Sequence, residues 1–335
     1  VYAVDDLQVP PPSFSFNGMD MNLGIPGGLR GTVGTDVLER VHHNTLRALD
    51  ISSGKMKWEL GGGPPPNGNK ELDDGYFLGP PLPLGGKLYV LLERQQELRL
   101  LCIDPALRGK IEASQTLATT KEKLQADVAR RTEAAHLAYS EGILVCPTNA
   151  GAILGVDLLS NSLIWAYPYR EKTETEEWNP QERMIRRGWA APPDDQNFGA
   201  NLRQQWKVSA PVIVEGKVIF TAPDARAIHC INLRDGAPVW KRQRAEDDQY
   251  LAGVFAGRVV IVGKKTIRAL ALATGEKMWE LTTGMPSGQG VASDNIYYLP
   301  LAEAGELKEP EICAIDIVHG KIIAHTKSRK REVPG

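Results

Sequence analysis

The chain has 335 residues, of which 42% are hydrophobic, so it is long enough and apolar enough to bury a sizeable core. Its 39 basic and 41 acidic residues give a net charge of −2, and this balance offers no electrostatic reason to expect a nucleic-acid partner. No apolar run is long enough to span a membrane, so we predict no transmembrane segment. The 33 glycines and 23 prolines are typical of a chain with many turns.

The chain opens on VYAVD, which resembles the tail of a repeat whose turn is missing, and it closes on REVPG shortly after another repeat turn. We therefore interpret it as a processed or partial chain, in which a missing signal peptide carries no information. Residues near 6–30 are rich in proline and glycine and show no period, so we predict a long surface insertion there.

A repeated unit begins with Arg47–Trp58, RALDISSGKMKW, which returns late in the chain as Arg268–Trp279, RALALATGEKMW. The pattern predicts a strand, a tight turn and a second strand. Gly54 lies in the turn, where glycine can adopt a positive φ at little cost. Self-similarity of this kind indicates a repeat fold.

Each copy has an anchor residue, usually Asp, then a turn with Gly or Asn, and in four copies a Trp eight residues after the anchor. Asp5 is the anchor of the incomplete first copy. The structural repeat residues are Asp50, Gly54, Trp58, Asp104, Gly109, Asp157, Asn161, Trp165, Asn232, Gly236, Trp240, Gly275, Trp279, Asp316 and Gly320. Because the aspartates recur once per copy, hydrogen bonding within their own turns explains them better than catalysis does.

Upstream of the anchors lie two further strand patterns in each unit. One is apolar and entered through glycine, as in GGKLYVLLE from Gly85 and EGKVIFTAP from Glu215. Four short strands repeating at roughly 40–50 residues are typical of a β-propeller blade. We predict an all-β propeller of six to eight blades over residues 1–335, with the incomplete ends either pairing to close the ring or requiring further sequence.

Two more insertions interrupt the repeat. Residues 114–135 have helix-forming composition, with Leu117, Leu124 and Val128 on one side, and we predict a short amphipathic helix there. Residues 170–205 form the other insertion, which is either a solvated loop or a partner-docking loop, since Trp and Arg dominate binding hot spots. Its candidate partner-binding residues, together with the Trp that follows it, are Trp178, Arg183, Arg186, Arg187, Trp189 and Trp206.

Cysteine, histidine and aspartate residues are present, but their spacing does not match a catalytic or metal-binding motif. The cysteines are Cys102, Cys146, Cys230 and Cys313, without any CxxC motif, and we interpret them as small buried hydrophobes, although pairing between blades stays open. His42 and His43 would point to opposite faces of a strand, so we expect a hairpin tip near Asn44 rather than a metal site. The pairs Asp73-Asp74 and Asp247-Asp248 occupy one repeat slot, which favours turn or capping roles over calcium binding.

The AxD-x3-G-x3-W unit after a glycine-led strand resembles the repeat of the pyrroloquinoline-quinone-type propellers. That superfamily includes the quinoprotein alcohol dehydrogenases and the BamB-like envelope lipoproteins, and in it the Trp docks between neighbouring blades. Phrases such as PTNAG and SRKREVPG are also similar to planctomycete-type envelope propellers. The resemblance implies a place outside the cytoplasm, in the periplasm or cell envelope.

The chain departs from the dehydrogenases of that superfamily, which add a vicinal disulfide, a calcium site of Glu, Asn and Asp, and an Asp base. This chain has no Cys-Cys pair and no matching acidic cluster, so no catalytic, cofactor-binding or metal residue is carried over. We therefore predict a non-catalytic scaffold that binds a protein partner through its loop face and needs no cofactor. Two alternatives remain open: a dehydrogenase that uses pyrroloquinoline quinone with calcium, or a subunit of one, and a carbohydrate- or polymer-binding module.

Overall fold

The computed structural model describes residues 1–5, 43–61, 72, 74–121, 124, 130–131, 133–170, 209–223, 225–304 and 309–327. These residues form six antiparallel sheets, in which most strands that follow one another along the chain are hydrogen-bonded neighbours, whereas in two sheets the first two strands both pair with the third. Each sheet is called a blade below. Contacts divide the chain into two compact units, Val1–Leu137 with blades 1 and 2 and Ala138–Gly335 with blades 3 to 6.

Unit 1 holds a three-stranded and a five-stranded blade. Blade 1 consists of β1 (Tyr2–Asp5), β2 (Thr45–Leu49) and β3 (Met56–Gly61). Blade 2 consists of β4 (Gly75–Phe77), β5 (Leu82–Leu84), β6 (Lys87–Arg94), β7 (Glu97–Asp104) and β8 (Lys110–Thr119).

Unit 2 holds four blades. Blade 3 consists of β9 (Ala138–Ser140), β10 (Ile143–Pro147), β11 (Ala152–Asp157) and β12 (Ser162–Pro168), and blade 4 of β13 (Val212–Val214), β14 (Lys217–Phe220), β15 (Ala227–Asn232) and β16 (Pro238–Gln243). Blade 5 consists of β17 (Asp248–Phe255), β18 (Arg258–Gly263), β19 (Thr266–Ala271) and β20 (Lys277–Thr282). Blade 6 consists of β21 (Met285–Pro286), β22 (Val291–Ser293), β23 (Ile296–Ala304), β24 (Glu309–Asp316) and β25 (Lys321–Lys327).

The central strands of the blades carry the core. In blade 4, Val218, Ile219 and Phe220 of β14 and most of β15 are buried, because strands packed on both faces favour continuous apolar runs. The outer strand β16 is exposed at every position except Trp240. Four-stranded repeats with this pattern confirm the predicted all-β fold, and the six blades of the described residues lie within the predicted six to eight.

The interpretation of Asp5 as the anchor of a repeat is wrong. β1 pairs with β2, so that Asp5 lies opposite Thr45 in blade 1, and the Asp5 carboxylate accepts a hydrogen bond from Arg47. β25 belongs to the blade 6 sheet, which does not contain β1. β1 therefore belongs to the same sheet as the first repeat turn.

The predicted helix over 114–135 is also wrong at its start, since Ser114–Thr119 is the end of the ten-residue strand β8. Pairing with β7 along its whole length overrides the local helix propensity of this stretch. Of the predicted apolar face, Leu117 and Leu124 are buried, whereas Val128 lies outside the described residues.

Asn44 is not at an exposed hairpin tip. It is 4% exposed, and its side-chain amide donates to the carbonyl of Phe77 at 2.9 Å while its Oδ1 accepts from the Phe77 N–H at 2.7 Å. This pair of hydrogen bonds joins the start of β2 to the end of β4. His43 is partly buried beside it, and His42 lies outside the described residues.

Candidate interaction site

The repeat tryptophans join consecutive blades within each unit. The Trp240 indole of blade 4 donates from Nε1 to the carbonyl of Leu272 in blade 5 at 2.8 Å. Its ring covers the turn glycine of blade 5, where a Cβ on Gly275 would lie 2.6 Å from Trp240 Cδ2. The same arrangement joins Trp58 to Pro105 and Gly109, Trp165 to Leu233 and Gly236, and Trp279 to Ile317 and Gly320.

A β-bulge in each blade orients the side chain at the tryptophan position of the outer strand. The register of the last two strands shifts at the same place in all six blades, one residue before the tryptophan position. Across the sheet the tryptophan faces a small residue, such as Gly155 opposite Trp165. A Cβ on Gly155 would lie 2.1 Å from the Trp165 ring, so the slot needs a residue with little or no side chain.

The shared register locates the tryptophan slot in the two blades that have no tryptophan there. Ala113 of blade 2 pairs with Cys102, and Ala324 of blade 6 pairs with Ala314, which are the slots that Trp fills in the other blades. In blade 2 the eight-residue spacing does not find the tryptophan slot, because the turn of this blade is one residue longer. The blades therefore differ in whether their outer strand offers a tryptophan.

The anchor carboxylates accept hydrogen bonds from groups of their own turns, as their recurrence in the sequence indicates. Asp157 Oδ1 accepts from the backbone N–H and the hydroxyl of Ser160, both at 2.7 Å, and these bonds lower the pKa of Asp157. Asn232 fills the slot in blade 4 and accepts from the Arg234 N–H at 2.8 Å through its amide oxygen. The slot therefore does not need a charge, and in blade 5 Ala271 occupies it without any side-chain acceptor, which agrees with a structural role.

The remaining aspartate anchors follow the same pattern. The pKa of Asp50 is lowered chiefly by the Ser52 hydroxyl, that of Asp104 by Lys87, and that of Asp316 by His319. None of these carboxylates shows the raised pKa that a general acid requires at neutral pH.

The acidic pair of blade 5 is also engaged within its own blade. Asp247 accepts from the hydroxyl of Thr266 at 2.6 Å, and the nearly buried Asp248 forms an ion pair with Arg268. Burial raises the pKa of Asp248, and the Arg268 charge opposes that rise. Asp74 is exposed with a φ of 56°, and Asp73 lies outside the described residues.

The chain leaves blade 3 for the long insertion at Tyr169 and Arg170, and hydrogen bonds to Gly151 hold this exit in place. The N–H of Tyr169 donates to the carbonyl of Gly151 at 2.9 Å, while the Gly151 N–H donates to the Tyr169 hydroxyl at 3.1 Å. Arg170 also donates from its backbone to the Gly151 carbonyl. The last described residues before the insertion are therefore fixed to the β10–β11 turn.

An aromatic cluster lies beneath that exit. It comprises Tyr167 and Tyr169 of the blade 3 edge with Phe220 and His229 of blade 4. The His229 ring stacks on Phe220 with centroids 5.1 Å apart and an interplanar angle of 14°, and its Nδ1 is hydrogen-bonded to the Tyr167 hydroxyl at 3.1 Å. Sequence reasoning missed this cluster because its members are spread over more than 60 residues. Burial raises the pKa of Tyr167, so this phenol stays protonated.

The predicted partner-binding residues Trp178, Arg183, Arg186, Arg187, Trp189 and Trp206 lie outside the described residues. The candidate interaction site within the described residues is thus the aromatic cluster and the clamped exit from which that insertion departs. Both lie in unit 2, whose four blades are joined by three tryptophan junctions.

The four cysteines are free thiols, one on a central strand of each of four different blades. Cys146, Cys230 and Cys313 are buried, and burial raises the pKa of Cys230 to about 12 and that of Cys313 to about 11. These thiols stay protonated and are therefore unreactive at neutral pH, since the thiolate is the reactive form.

Within the described ranges, no three His, Cys, Asp or Glu side chains come close enough to hold a metal ion. One pocket of about 340 Å³ opens on blade 2, with Arg99 and Glu112 in its lining. Arg99 is paired with Glu97, and Glu112 with Lys87, so we assign this pocket no ligand. No helix in the described part of the chain has the length and apolar character that a membrane crossing requires.

Four-stranded blades that are joined by a tryptophan over the next turn glycine define a quinoprotein-like β-propeller. Residues 186–332, less than half of the chain, match the family model described as outer membrane protein assembly factor BamB. The chain is accordingly a β-propeller repeat protein, and its later blades are similar to the PQQ-like, BamB-like type.

Two solved structures are distantly similar to the chain. BamB from Moraxella catarrhalis is 15% identical over 85% of this chain and 82% of its own, with a TM-score of 0.39. A europium-containing methanol dehydrogenase is 13% identical over 74% of this chain, with a TM-score of 0.44, and only 50% of the dehydrogenase is covered. No curated protein matches the chain.

Proposed function

We propose that the chain is a non-catalytic scaffold outside the cytoplasm that binds a protein partner through the insertion at 170–205. The observation that supports this most is the clamped exit at Tyr169 and Gly151, which fixes the residues just before the insertion to the edge of blade 3. Loops on a rigid scaffold are where binding residues concentrate. The match to the BamB family model includes most of blades 4 to 6 and fits the same role.

Trp178, Trp189 and the arginines at 186 and 187 are the expected contacts, because Trp and Arg supply the largest share of binding energy at interfaces. The envelope location follows from the family resemblance. The absence of a matched catalytic constellation in the sequence motivates the non-catalytic part of the proposal.

The test is affinity capture from solubilised envelope proteins with three forms of the chain, followed by titration of the captured protein once it is purified. The first form is unaltered, the second carries Trp189→Ala, Arg186→Glu and Arg187→Glu, and the third carries Arg234→Glu as the control. Arg234 is an exposed arginine of a blade turn, 78% exposed at its side chain.

We expect the insertion variant to weaken the purified pair at least about tenfold, with the control unchanged. A partner that binds the insertion variant as tightly as the unaltered chain would contradict the proposal. So would saturable one-to-one binding of pyrroloquinoline quinone with calcium in a calorimetric titration, which would favour the dehydrogenase instead.

A further inference from the structure

One slot of the repeat, three residues before the anchor, carries a basic side chain in three of the six blades. The residues are Arg47 in blade 1, His229 in blade 4 and Arg268 in blade 5. Arg47 forms ion pairs with Asp5 and Glu59, and Arg268 forms one with the nearly buried Asp248. The slot therefore holds a permanent positive charge in the two blades where a carboxylate lies beside it.

His229 of blade 4 lies among aromatic rings in the same slot. It is 1% exposed, and its ring stacks on Phe220. The rings of Tyr167 and Tyr169 of blade 3 lie at centroid distances of 5.6 and 6.2 Å from the imidazole, and the Tyr167 hydroxyl is 3.1 Å from Nδ1. None of these contacts is a carboxylate.

The charged side chains that the described strands place at this end of blade 4 are basic. Lys241 lies directly opposite His229 in the neighbouring strand β16. Arg226 and Arg244 follow at the end of the same strand pair, where the Arg244 N–H donates to the Arg226 carbonyl at 3.0 Å. A positive charge on His229 would therefore add to basic neighbours.

The carboxylates in the described parts of blades 3 and 4 lie at the opposite ends of their strands. They are Glu141, Asp157, Glu215 and Asp235, in or beside the turns next to the anchors. Blade 5 packs on the other face of β15 through Ile228 and Cys230, so its carboxylates lie beyond the sheet from His229. Within these residues, a charge on His229 would be buried without compensation.

Tyr169 connects His229 to the clamped exit. Its ring packs against both Phe220 and His229. Its hydroxyl accepts from the Gly151 N–H at 3.1 Å, and its own N–H donates to the Gly151 carbonyl at 2.9 Å. Because one residue belongs to both the aromatic cluster and the exit, a change in the packing of the cluster reaches the residues from which the insertion departs.

Protonation changes what the His229 ring can do. Burial raises the pKa of Tyr167, so its O–H stays available to donate to Nδ1 of a neutral imidazole. An imidazolium carries hydrogen on both ring nitrogens and cannot accept that bond. It also places a charge in a buried site, which costs free energy unless the charge is paired.

We propose that His229 is a pH-sensitive switch for the exit of the insertion: the neutral ring supports Tyr169 and Arg170 on Gly151, and protonation of the ring releases them. The lost acceptor and the buried charge both act in this direction. An effect of the released exit on partner binding rests on the function proposed above, whereas the release itself does not.

The experiment measures amide hydrogen exchange of Tyr169 and Arg170 in the full chain by NMR at about pH 7.5 and about pH 5, corrected for the intrinsic exchange rate at each pH. The Leu158 amide, which donates to Gly142 at the other end of blade 3 at 3.0 Å, is the internal reference. The variant His229→Phe keeps an aromatic ring and cannot titrate. The matched control is His319→Phe, since His319 is a histidine of blade 6 whose side chain is 67% exposed.

The size of the effect follows from linkage. A ring that takes up a proton only when the exit is open, with the ordinary histidine pKa of about 6.5, raises the open population about thirtyfold at about pH 5. We expect the protection of the Tyr169 and Arg170 amides to fall by about ten- to thirtyfold in the unaltered chain and in His319→Phe, with Leu158 unchanged. In His229→Phe, the protection should not depend on pH.

Protection that stays constant or rises on acidification would overturn the proposal, as would an equal fall in His229→Phe. A parallel loss at Leu158 would indicate general acid unfolding and would also overturn it. The Hε1 resonance of His229 in the unaltered chain provides a test that needs no variant, because its titration must have the same midpoint as the loss of protection. No partner takes part in these measurements, so their outcome is independent of whether the insertion binds one.

Discussion

At the scale of single residues, the five turn glycines share a φ of 62° to 77° but not their surroundings. Four of them lie under an indole, and Gly54 does not. Positive φ explains why glycine is favoured in these turns, and the tryptophan explains why only glycine fits in four of them. These two reasons can be separated by substitution.

We predict that Gly275→Ala destabilises the protein more than Gly54→Ala does. Both variants place an alanine at a φ near 67°, which costs about 1–2 kcal/mol. Only Gly275→Ala also forces a methyl group against Trp240, which adds about 1–3 kcal/mol of overpacking. Urea unfolding of the two variants measures the difference, and equal losses would show that the tryptophan contact adds nothing.

At the scale of elements, β8 and the segment that follows it are attached to β6 by a buried ion pair. Glu93 and Arg130 have side chains that are 3% and 4% exposed and are joined by a salt bridge, and the Thr120 hydroxyl also donates to Glu93 at 3.1 Å. The neighbouring pair Glu97–Arg99 has side chains that are 40% and 30% exposed. Because solvent screens the exposed pair, we expect only the buried pair Glu93–Arg130 to contribute strongly to the free energy of unfolding.

We predict that Glu93→Ala lowers the free energy of unfolding by about 3–5 kcal/mol, because it leaves a buried arginine without its carboxylate. Glu97→Ala serves as the matched control and should cost less than about 1 kcal/mol, since solvent screens an exposed pair. Hydrogen exchange should also show faster exchange of the Ala135 amide, which donates to Leu78 at 2.7 Å. Unchanged exchange there would mean that the pair does not hold this segment.

At the scale of the whole molecule, we expect the tryptophan junctions to make neighbouring blades unfold cooperatively. Blades 3 to 6 of unit 2 are joined by Trp165, Trp240 and Trp279, and the buried thiols of Cys146, Cys230 and Cys313 report on three of those blades. Repeat arrays are stabilised by nearest-neighbour interfaces, so removing one interface should divide the array.

We predict that these three thiols become open to alkylation at a single urea concentration in the unaltered chain. Trp240→Ala, which costs about 3–5 kcal/mol, should separate Cys313 from Cys146 and Cys230. Val239→Ala is the control, because Val239 is the neighbouring bulge residue and is 43% exposed. Pulsed alkylation with mass spectrometry gives the three midpoints, and distinct midpoints in the unaltered chain would contradict cooperative unfolding.

The turn and strand pattern could be inferred from the sequence because its causes are local. An acceptor side chain, a glycine four residues later and alternating apolar positions act over fewer than ten residues, and they recur often enough to indicate four strands in each blade. The same reasoning failed where a distant partner decides the conformation. Ser114–Thr119 is a strand because β7 lies beside it, and Asn44 is buried because Phe77 offers both a donor and an acceptor.

The sequence by itself therefore determined the class of fold, the positions of the turns and the identity of the repeat tryptophans. Only the tertiary structure decided which carbonyl each indole binds and that Ala113 stands in the tryptophan slot of blade 2. The reason is physical: a strand register and a packing contact depend on groups that are far apart in the chain. Neither is encoded in the spacing of any single repeat.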